Sequence, residues 1–492
     1  MSLINISHLT FAYEGSYDNV FTDVSFQIDT DWKLGFCGRN GRGKTTFLKL
    51  LMGRYEYSGV ISAAVRFTYF PFAVEDSALS ALDILSGVAP EAPVWQIRKE
   101  LSKLAVDEGA LYRPFSTLSK GEQTKALLCG LFLRENGFPL IDEPTNHLDE
   151  AARETVARYL KGKSGFILVS HDRTFLDACV DHVLSVNKSD IEITQGNFSM
   201  WWEQKAQRDA AELAENERLG HEIGRLQDSA AQQARWSDRV ERSKNRPLAS
   251  GLSADKGYIG HRAAKMMKRS KATEKRRQDA AEEKSHLLKN IETADTLKLV
   301  SLDYHTERLF SLEKVSVSYG GRTVFRDVSF SLERGERLAL RGGNGTGKSS
   351  LLGLLYGEDV PYTGRTDIGS RLVISYVPQD ASFLAGSLDE YAAEQGVDRT
   401  LLLAVLRKLD FSRVQFEKDM REYSAGQKKK VLLARSLCQR AHVYVWDEPL
   451  NYIDVLSRMQ IEELILVHRP TLLFVEHDKA FCDNIATKTV DL

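Results

Sequence analysis

The stretch Gly38-Arg39-Asn40-Gly41-Arg42-Gly43-Lys44-Thr45 decides the fold, because it returns as Gly342-Gly343-Asn344-Gly345-Thr346-Gly347-Lys348-Ser349 after an offset of 304 residues (342 − 38). Both copies match GxxxxGK[ST]. Glycines in such a loop let successive backbone N–H groups wrap a phosphate, and the helix that follows adds a partial positive charge. Lys44 and Lys348 are placed to reach β- and γ-phosphates, Thr45 and Ser349 to offer a hydroxyl to Mg²⁺, and Thr46 and Ser350 continue each loop into its helix. Three further landmarks repeat at nearly the same spacing. Ser119 of LSKGEQ matches Ser424 of YSAGQK, Glu143 of LIDEPTNHLD matches Glu448 of VWDEPLNYID, and His171 of SHD matches His477 of EHD. The chain is therefore a tandem duplication, with copies at about 1–202 and 305–492 and a segment of other character at 203–295.

Each copy alternates short apolar strands with helices. Lys33–Gly38 and Arg337–Leu340 run into the glycine loops, and the helices Thr45–Leu51 and Ser349–Leu355 follow. Phe138–Ile141, Val443–Trp446, Phe166–Val169 and Leu472–Val475 precede the acidic and histidine landmarks. Strands ending in loops that open helices predict an α/β fold around a parallel sheet, with chemistry at the strand C-termini. At those ends Asp142 and Asp447 are suited to hold Mg²⁺ through water. The adjacent Glu143 and Glu448 are suited to polarise an attacking water, and His171 and His477 to contact a γ-phosphate.

Composition narrows the class. Apolar residues make up 42% and charged residues 27% of 492, as in an ordinary soluble protein. No apolar run is long enough to span a bilayer, and the N-terminus lacks a signal-peptide pattern. The five cysteines are scattered with no CxxC pair, which favours reduced thiols over a metal site or disulfides.

The middle segment is polar and helical in composition. Leu219, Ile223, Leu226 and Ala230 form a narrow apolar seam, and a second helical run is expected over about 261–291. Between the two runs, Pro247, Gly251, Gly257 and Gly260 mark a loop. This predicts a projecting helical hairpin. Residues 235–277 carry 14 basic against 4 acidic side chains in a chain of net charge −2. That imbalance points to a phosphate-rich partner, and Trp236, Tyr258, His261, Met266 and Met267 interleave surfaces suited to irregular RNA. Arg246, Lys256, Tyr258, His261, Arg262, Lys265, Lys268, Arg269 and Lys271 are the candidate RNA contacts.

The two phosphate loops, LSKGEQ with YSAGQK, the two DEP boxes and SHD with EHD together resemble the ATP-binding-cassette superfamily. The resemblance implies that ATP is sandwiched between the copies. Ser119 and Gly121 would complete the site on Lys348, and Ser424 and Gly426 the site on Lys44. It places Tyr13 and Tyr319 where such proteins stack an aromatic on adenine; packing within a strand is the alternative for both. It gives Gln379 of YVPQ the role of sensing Mg²⁺ and γ-phosphate. The first copy reads YFPF, with Phe72 at that place, and the second signature has Ala425 for glycine, so the Lys44 site is expected to hydrolyse more slowly.

Two cassettes joined by a basic insert resemble the ABC-F class of translation-associated ATPases. KGYIGHRAAKMMKRSK (256–271), DTDWKLGFCGRNGRGKTT and WDEPLNYIDV resemble its Lsa-type antibiotic-resistance branch. The first cassette has no extra arm between Phe72 and Ser119, and no basic tail precedes Leu492; both absences fit that branch. The resemblance implies a cytoplasmic monomer that binds the E site of the 70S ribosome with ATP. Its linker would face 23S rRNA and the P-site tRNA and dislodge lincosamides, pleuromutilins and group A streptogramins. A housekeeping factor of the same class, the ATPase subunit of a drug exporter and a DNA-associated cassette ATPase are the rival readings.

Overall fold

The computed structural model describes residues 2–14, 19–134, 136–146, 148–186, 191–243, 299–320, 322–343, 345–411 and 413–492. Its chain divides into one unit made of Met1–Trp201 with Ala294–Leu492, which holds both copies, and a second unit, Trp202–Thr293.

In the first copy a six-stranded sheet runs in the order Arg66–Phe70, Gly137–Asp142, Phe166–Val169, Lys33–Cys37, His182–Val186, Ile191–Gln195. All pairings are parallel except the last. The second copy repeats the plan in five parallel strands: Ile374–Val377, Val443–Asp447, Leu472–Val475, Arg337–Arg341, Lys488–Asp491. Strands such as Phe166–Val169 and Leu472–Val475 are buried along their whole length, which is why they are unbroken apolar runs without alternation. The expected strands and post-loop helices are present, the helices as Lys44–Leu51 and Lys348–Tyr356.

Each copy also carries a three-stranded antiparallel sheet that the parallel reading did not include. Leu3–Phe11 pairs with Phe21–Asp29 and Ser58–Ser62, and Arg308–Tyr319 pairs with Arg322–Glu333 and Tyr362–Ile368. One face of each packs inward, through Ile4, Ile6, Leu9 and Phe11 in the first copy and Leu312, Val315 and Val317 in the second. These sheets bring Tyr13 and Tyr319 beside the phosphate loops.

The helix leading away from the first copy is a single run, Phe198–Ser243, of 46 residues. At about 1.5 Å per residue it is about 70 Å long. It starts upstream of the expected edge at 203, because Phe198 and Trp201 are anchored in the first unit, each 2% exposed, with ring centroids 5.4 Å apart. The second helical run, the loop around Pro247 and all nine candidate RNA contacts (Arg246, Lys256, Tyr258, His261, Arg262, Lys265, Lys268, Arg269 and Lys271) lie outside the described residues. Four of the five cysteines are buried, Cys438 is half-buried, and all five are free thiols.

Within the first copy, Glu100 on the helix Val94–Lys103 accepts hydrogen bonds from Lys103 Nζ (2.6 Å), Tyr159 Oη (2.8 Å) and Lys163 Nζ, tying that helix to the end of Glu150–Lys161. Burial raises its pKa, but these three donors outweigh burial and hold the carboxyl at about 2. A carboxyl held below its ordinary value contributes stability above its unfolded pKa and loses it as pH falls through the folded one. Replacing Glu100 by Gln is expected to destabilise the protein by about 1–3 kcal/mol at pH 7. In denaturant unfolding, the gap to wild type should narrow as pH is lowered toward 3; a gap independent of pH would contradict this.

Candidate ATP sites between the cassettes

The two phosphate loops are built alike. At the residue before each helix the backbone is left-handed, φ 86° at Gly43 and 92° at Gly347. A Cβ there would lie 2.5 Å from Val20 Cγ1 or 2.4 Å from Val324 Cγ1, so both the turn and the close approach demand glycine. Lys44 Nζ donates to Gly38 O (2.7 Å) and Arg39 O (3.1 Å). Lys348 Nζ donates to Gly342 O (2.9 Å) and Gly343 O (2.8 Å). Each ammonium is buried and rests on loop carbonyls, in the position from which it can turn to a phosphate. Tyr13 Oη bonds Thr46 Oγ1 at 2.6 Å, and Tyr319 Oη donates to Ser350 Oγ at 3.2 Å. Tyr13 also packs edge-on against Phe11 and Tyr55, so strand packing and site proximity go together. Tyr13 and Tyr319 remain 44% and 46% exposed, leaving ring surface open for a base. Asn344 lies outside the described residues.

The copies meet crosswise. A cleft of about 920 Å³ is lined on one side by Ser119 and Gly121 and on the other by Gly345, Gly347, Lys348, Ser349, Ser350, Gln379, Glu448 and His477. That volume is in the range of small-ligand sites. Gly342 lines a neighbouring cavity of about 450 Å³ with Lys348 and His477. Ser119 caps the helix Lys120–Leu133 in a reciprocal box with Glu122, and Ser424 caps Ala425–Cys438 with Gln427 in the same way. Both serines are thereby fixed at helix N-termini.

The cavity at Lys44 is smaller, about 280 Å³, and its walls include Tyr13, Asn40, Gly41, Gly43, Thr45, Thr46, Asp142, Glu143 and His171. The second copy reaches it through Tyr452: Asn40 Nδ2 donates to Tyr452 O at 2.9 Å. Gly426 abuts the same carbonyl, since a Cβ on Gly426 would stand 2.6 Å from it. Arg153 makes the reciprocal crossing, donating to Asp172 Oδ2 (2.9 Å) in its own copy and to His477 O (3.0 Å) in the other. Arg173 pairs with Glu462, and Lys479 lies 3.5 Å from both Glu150 and Glu154.

The acidic groups differ between the sites. Asp447 is 1% exposed, and neither of its oxygens has a hydrogen-bond partner in good geometry. Burial pushes its carboxyl up to about 6, against the pull of the Ser349 hydroxyl, Lys429 and Lys348. Two bare buried carboxylate oxygens beside a hydroxyl suit a hard divalent cation. Asp142 is already engaged, its Oδ2 accepting from Thr45 Oγ1 and Tyr69 Oη, each at 2.9 Å. Tyr69 is the counterpart of Tyr376, which leans instead on Tyr356 with centroids 4.7 Å apart. Phe72 packs at the helix Lys120–Leu133 and its end: Arg134 sits 5.8 Å over its ring, and it lies against Gly130. Gln379 Nε2, at the matching place, donates to Glu448 Oε2 at 2.8 Å.

Both glutamates have left-handed backbones, φ 52° at Glu143 and 46° at Glu448, a conformation that costs energy for a side chain of this size and recurs at functional sites. Each faces its histidine: His171 Nε2 is 3.2 Å from Glu143 Oε1, and His477 Nε2 is 3.4 Å from Glu448 Oε1. Burial and Asp142 push the Glu143 carboxyl up, which disfavours the ionised form that a general base needs. Burial also acts to raise Glu448, but His477, Gln379 and Lys429 overcome it and hold the carboxyl at about 2. Sequence reasoning missed Tyr69, Lys429 and Arg153; comparing the repeats at Lys429, where the first copy has Thr124, was the available signal.

Residues 21–146 and 325–451 match the ABC transporter family. Along its length the chain is 26% identical to the Ribosome protection protein VmlR of Bacillus subtilis (strain 168), over 98% of this chain and 85% of that one. It is also 26% identical to the Energy-dependent translational throttle protein EttA of Haemophilus influenzae, over 96% of this chain and 89% of that one. The fold matches the archaeal ribosome recycling factor aABCE1, solved with the ribosomal stalk protein aP1, with TM-score 0.62 and 19% identity over 98% of this chain and 87% of that chain.

The two glutamates are expected to contribute unequally. Glu448→Gln should lower the single-turnover hydrolysis rate by about 100-fold or more, the usual scale for a lost general base, and Glu143→Gln by less than about 10-fold. Equal losses would contradict the asymmetry. With duplicated phosphate loops, the first copy's signature facing the second phosphate loop, and a family match in both copies, the chain belongs to the ABC transporter family as an ATPase of the ABC-F class that resembles ribosome protection proteins.

Proposed function

We propose that this ATPase is a ribosomal protection protein whose nucleotide state sets the posture of its basic insert. ATP and Mg²⁺ enter between the cassettes. Ser349, Asp447 and Gln379 would hold the metal in the site on Lys348, and Thr45 and Asp142 in the site on Lys44; when bound, it would neutralise charge on the phosphates. Closure around nucleotide lets the chain, a cytoplasmic monomer, dock in the E site of the 70S ribosome. The basic insert then engages 23S rRNA and the P-site tRNA. The loop around Pro247–Tyr258 perturbs the peptidyl-transferase region so that a lincosamide, pleuromutilin or group A streptogramin leaves. Hydrolysis, with Glu448 as the carboxylate that is ionised and free to polarise the attacking water, reopens the cassettes.

The observation that carries this reading is where the long helix begins. Phe198 and Trp201 line a small pocket with Gly38 and Lys44 of the first phosphate loop, His171, and Val455 and Leu456 of the second copy. Any shift of the two copies around nucleotide at Lys44 must be felt at that root, because close-packed side chains transmit displacement. The charge of 235–277 supplies the reason for an RNA target. Similarity to VmlR supports protection; the equal identity to EttA supports the second reading, a translation factor with no role in resistance.

The Glu143→Gln, Glu448→Gln double variant is expected to co-sediment with 70S ribosomes when ATP is present and not with ADP; absence of ATP-dependent association would sink both ribosomal readings. Expression of the wild-type chain in a sensitive bacterium should raise the inhibitory concentration of the three drug groups at least fourfold without changing drug accumulation. Unchanged susceptibility would favour the translation-factor reading, and reduced accumulation would favour export.

A further inference from the structure

The second copy replaces a pair of hydroxyls by a leucine and a buried carboxyl group. In the first copy Thr145 Oγ1 and Ser170 Oγ lie 3.2 Å apart, and Ser170 Oγ also accepts from Asp172 N. These hydroxyls link the loop after the DEP box to the residue before His171. The matching positions are Leu450 and Glu476. Leucine offers no hydroxyl, yet the link persists by another route: Glu476 Oε1 accepts from Leu450 N at 2.7 Å, and Oε2 accepts from His477 N at 3.1 Å. Glu476 is 7% exposed, and a buried carboxylate needs a compensating charge. Arg458 leads the charges that act favourably on Glu476. Lys429, where the first copy has Thr124, is 3% exposed, donates to Pro378 O (2.9 Å) and Asp447 O (3.3 Å), and feels Glu476 as its leading opposite charge. Three positions thus differ together.

Where the braced loop leads gives this link a role. Leu450 begins the segment whose Tyr452 carbonyl takes the hydrogen bond from Asn40. The same segment continues into Val455 and Leu456 at the root of the long helix. On its other side Glu476 holds the backbone of His477, which lines the cleft at Lys348.

We propose that Glu476 is a positioning residue that couples the two ATP sites: it ties His477, at the Lys348 site, to the 450–454 loop that the Lys44 site reads through Asn40. A γ-phosphate engaging His477 moves a backbone that Glu476 shares with Leu450. Occupancy of one site thereby biases the loop that closes the other. The inference rests on the ATPase assignment and not on the ribosomal one.

The test uses purified full-length protein without ribosomes. Steady-state ATPase kinetics are measured for wild type, Glu476→Ala, Glu476→Gln and the double variant Leu450→Thr, Glu476→Ser, which installs the first copy's pair. ATP affinity at the Lys44 site is measured for each with and without Lys348→Ala. Removing the acceptor strands a buried N–H, so Glu476→Ala should lower kcat about 10-fold with KM changed less than about threefold. It should also abolish the effect of Lys348→Ala on the Lys44 site. Gln keeps one acceptor oxygen but turns an amide donor toward the other backbone N–H, so it should fall between wild type and Glu476→Ala, and the double variant should recover most of the kcat lost in Glu476→Ala. Wild-type kcat and coupling in Glu476→Ala would overturn the proposal. So would a kcat loss that comes with a lowered melting temperature while the coupling stays intact.

Discussion

The structure depends on one crossing: the loop after the second DEP box, residues 450–454, pressed against the first phosphate loop. The hydrogen bond from Asn40 to Tyr452 O and the contact of Gly426 with that same carbonyl place signature, loop and nucleotide cradle within reach of one another. Asp454, at the end of the segment, is 0% exposed and lies 3.2 Å from the buried Lys430 Nζ. Burial acts to raise its pKa, but Lys430 and Lys44 overcome it and hold the carboxyl well below its ordinary value. A phosphate-loop lysine of one copy therefore feels a carboxylate of the other. Breaking such a buried pair is costly because it leaves one charge without compensation.

From this crossing the asymmetry of the sites follows. The Lys348 site has a bare Asp447, whose burial raises its carboxyl, and a Glu448 that His477, Gln379 and Lys429 hold ionised. The Lys44 site has a hydroxyl-capped Asp142, a phenylalanine where the other has Gln379, and a Glu143 whose burial favours its neutral form. The Lys44 site is also the one whose lysine lines the small pocket at the root of the long helix.

Much of this was legible in the sequence. The cassette cores could be read because parallel strands buried on both faces are short apolar runs, and because Gly43-Lys44-Thr45 and Gly347-Lys348-Ser349 fix a strand–loop–helix turn wherever they occur. The antiparallel sheets were harder, since Leu3–Phe11 mixes Asn5, Ser7 and Thr10 into its alternation and has register shifts between Ile6 and Phe11. Contacts such as Tyr69 with Asp142, or Arg153 with the His477 carbonyl, depend on which distant strand end or facing copy the fold delivers, and spacing alone does not encode that. Glu476 was visible as an odd residue in EHD, but its partner is a backbone N–H, and backbone groups leave no trace in a sequence.

Counting ATP trapped per chain tests the crosswise pairing most directly. In the Glu143→Gln, Glu448→Gln background, two ATP should be occluded, and Ser424→Arg should remove one. Adding Lys44→Ala to Ser424→Arg should remove no more, because both act on the same site, whereas adding Lys348→Ala should empty the protein. If Ser424→Arg instead proved redundant with Lys348→Ala and additive with Lys44→Ala, the signature of the second copy would serve its own phosphate loop, and the crosswise pairing of the cassettes would be contradicted.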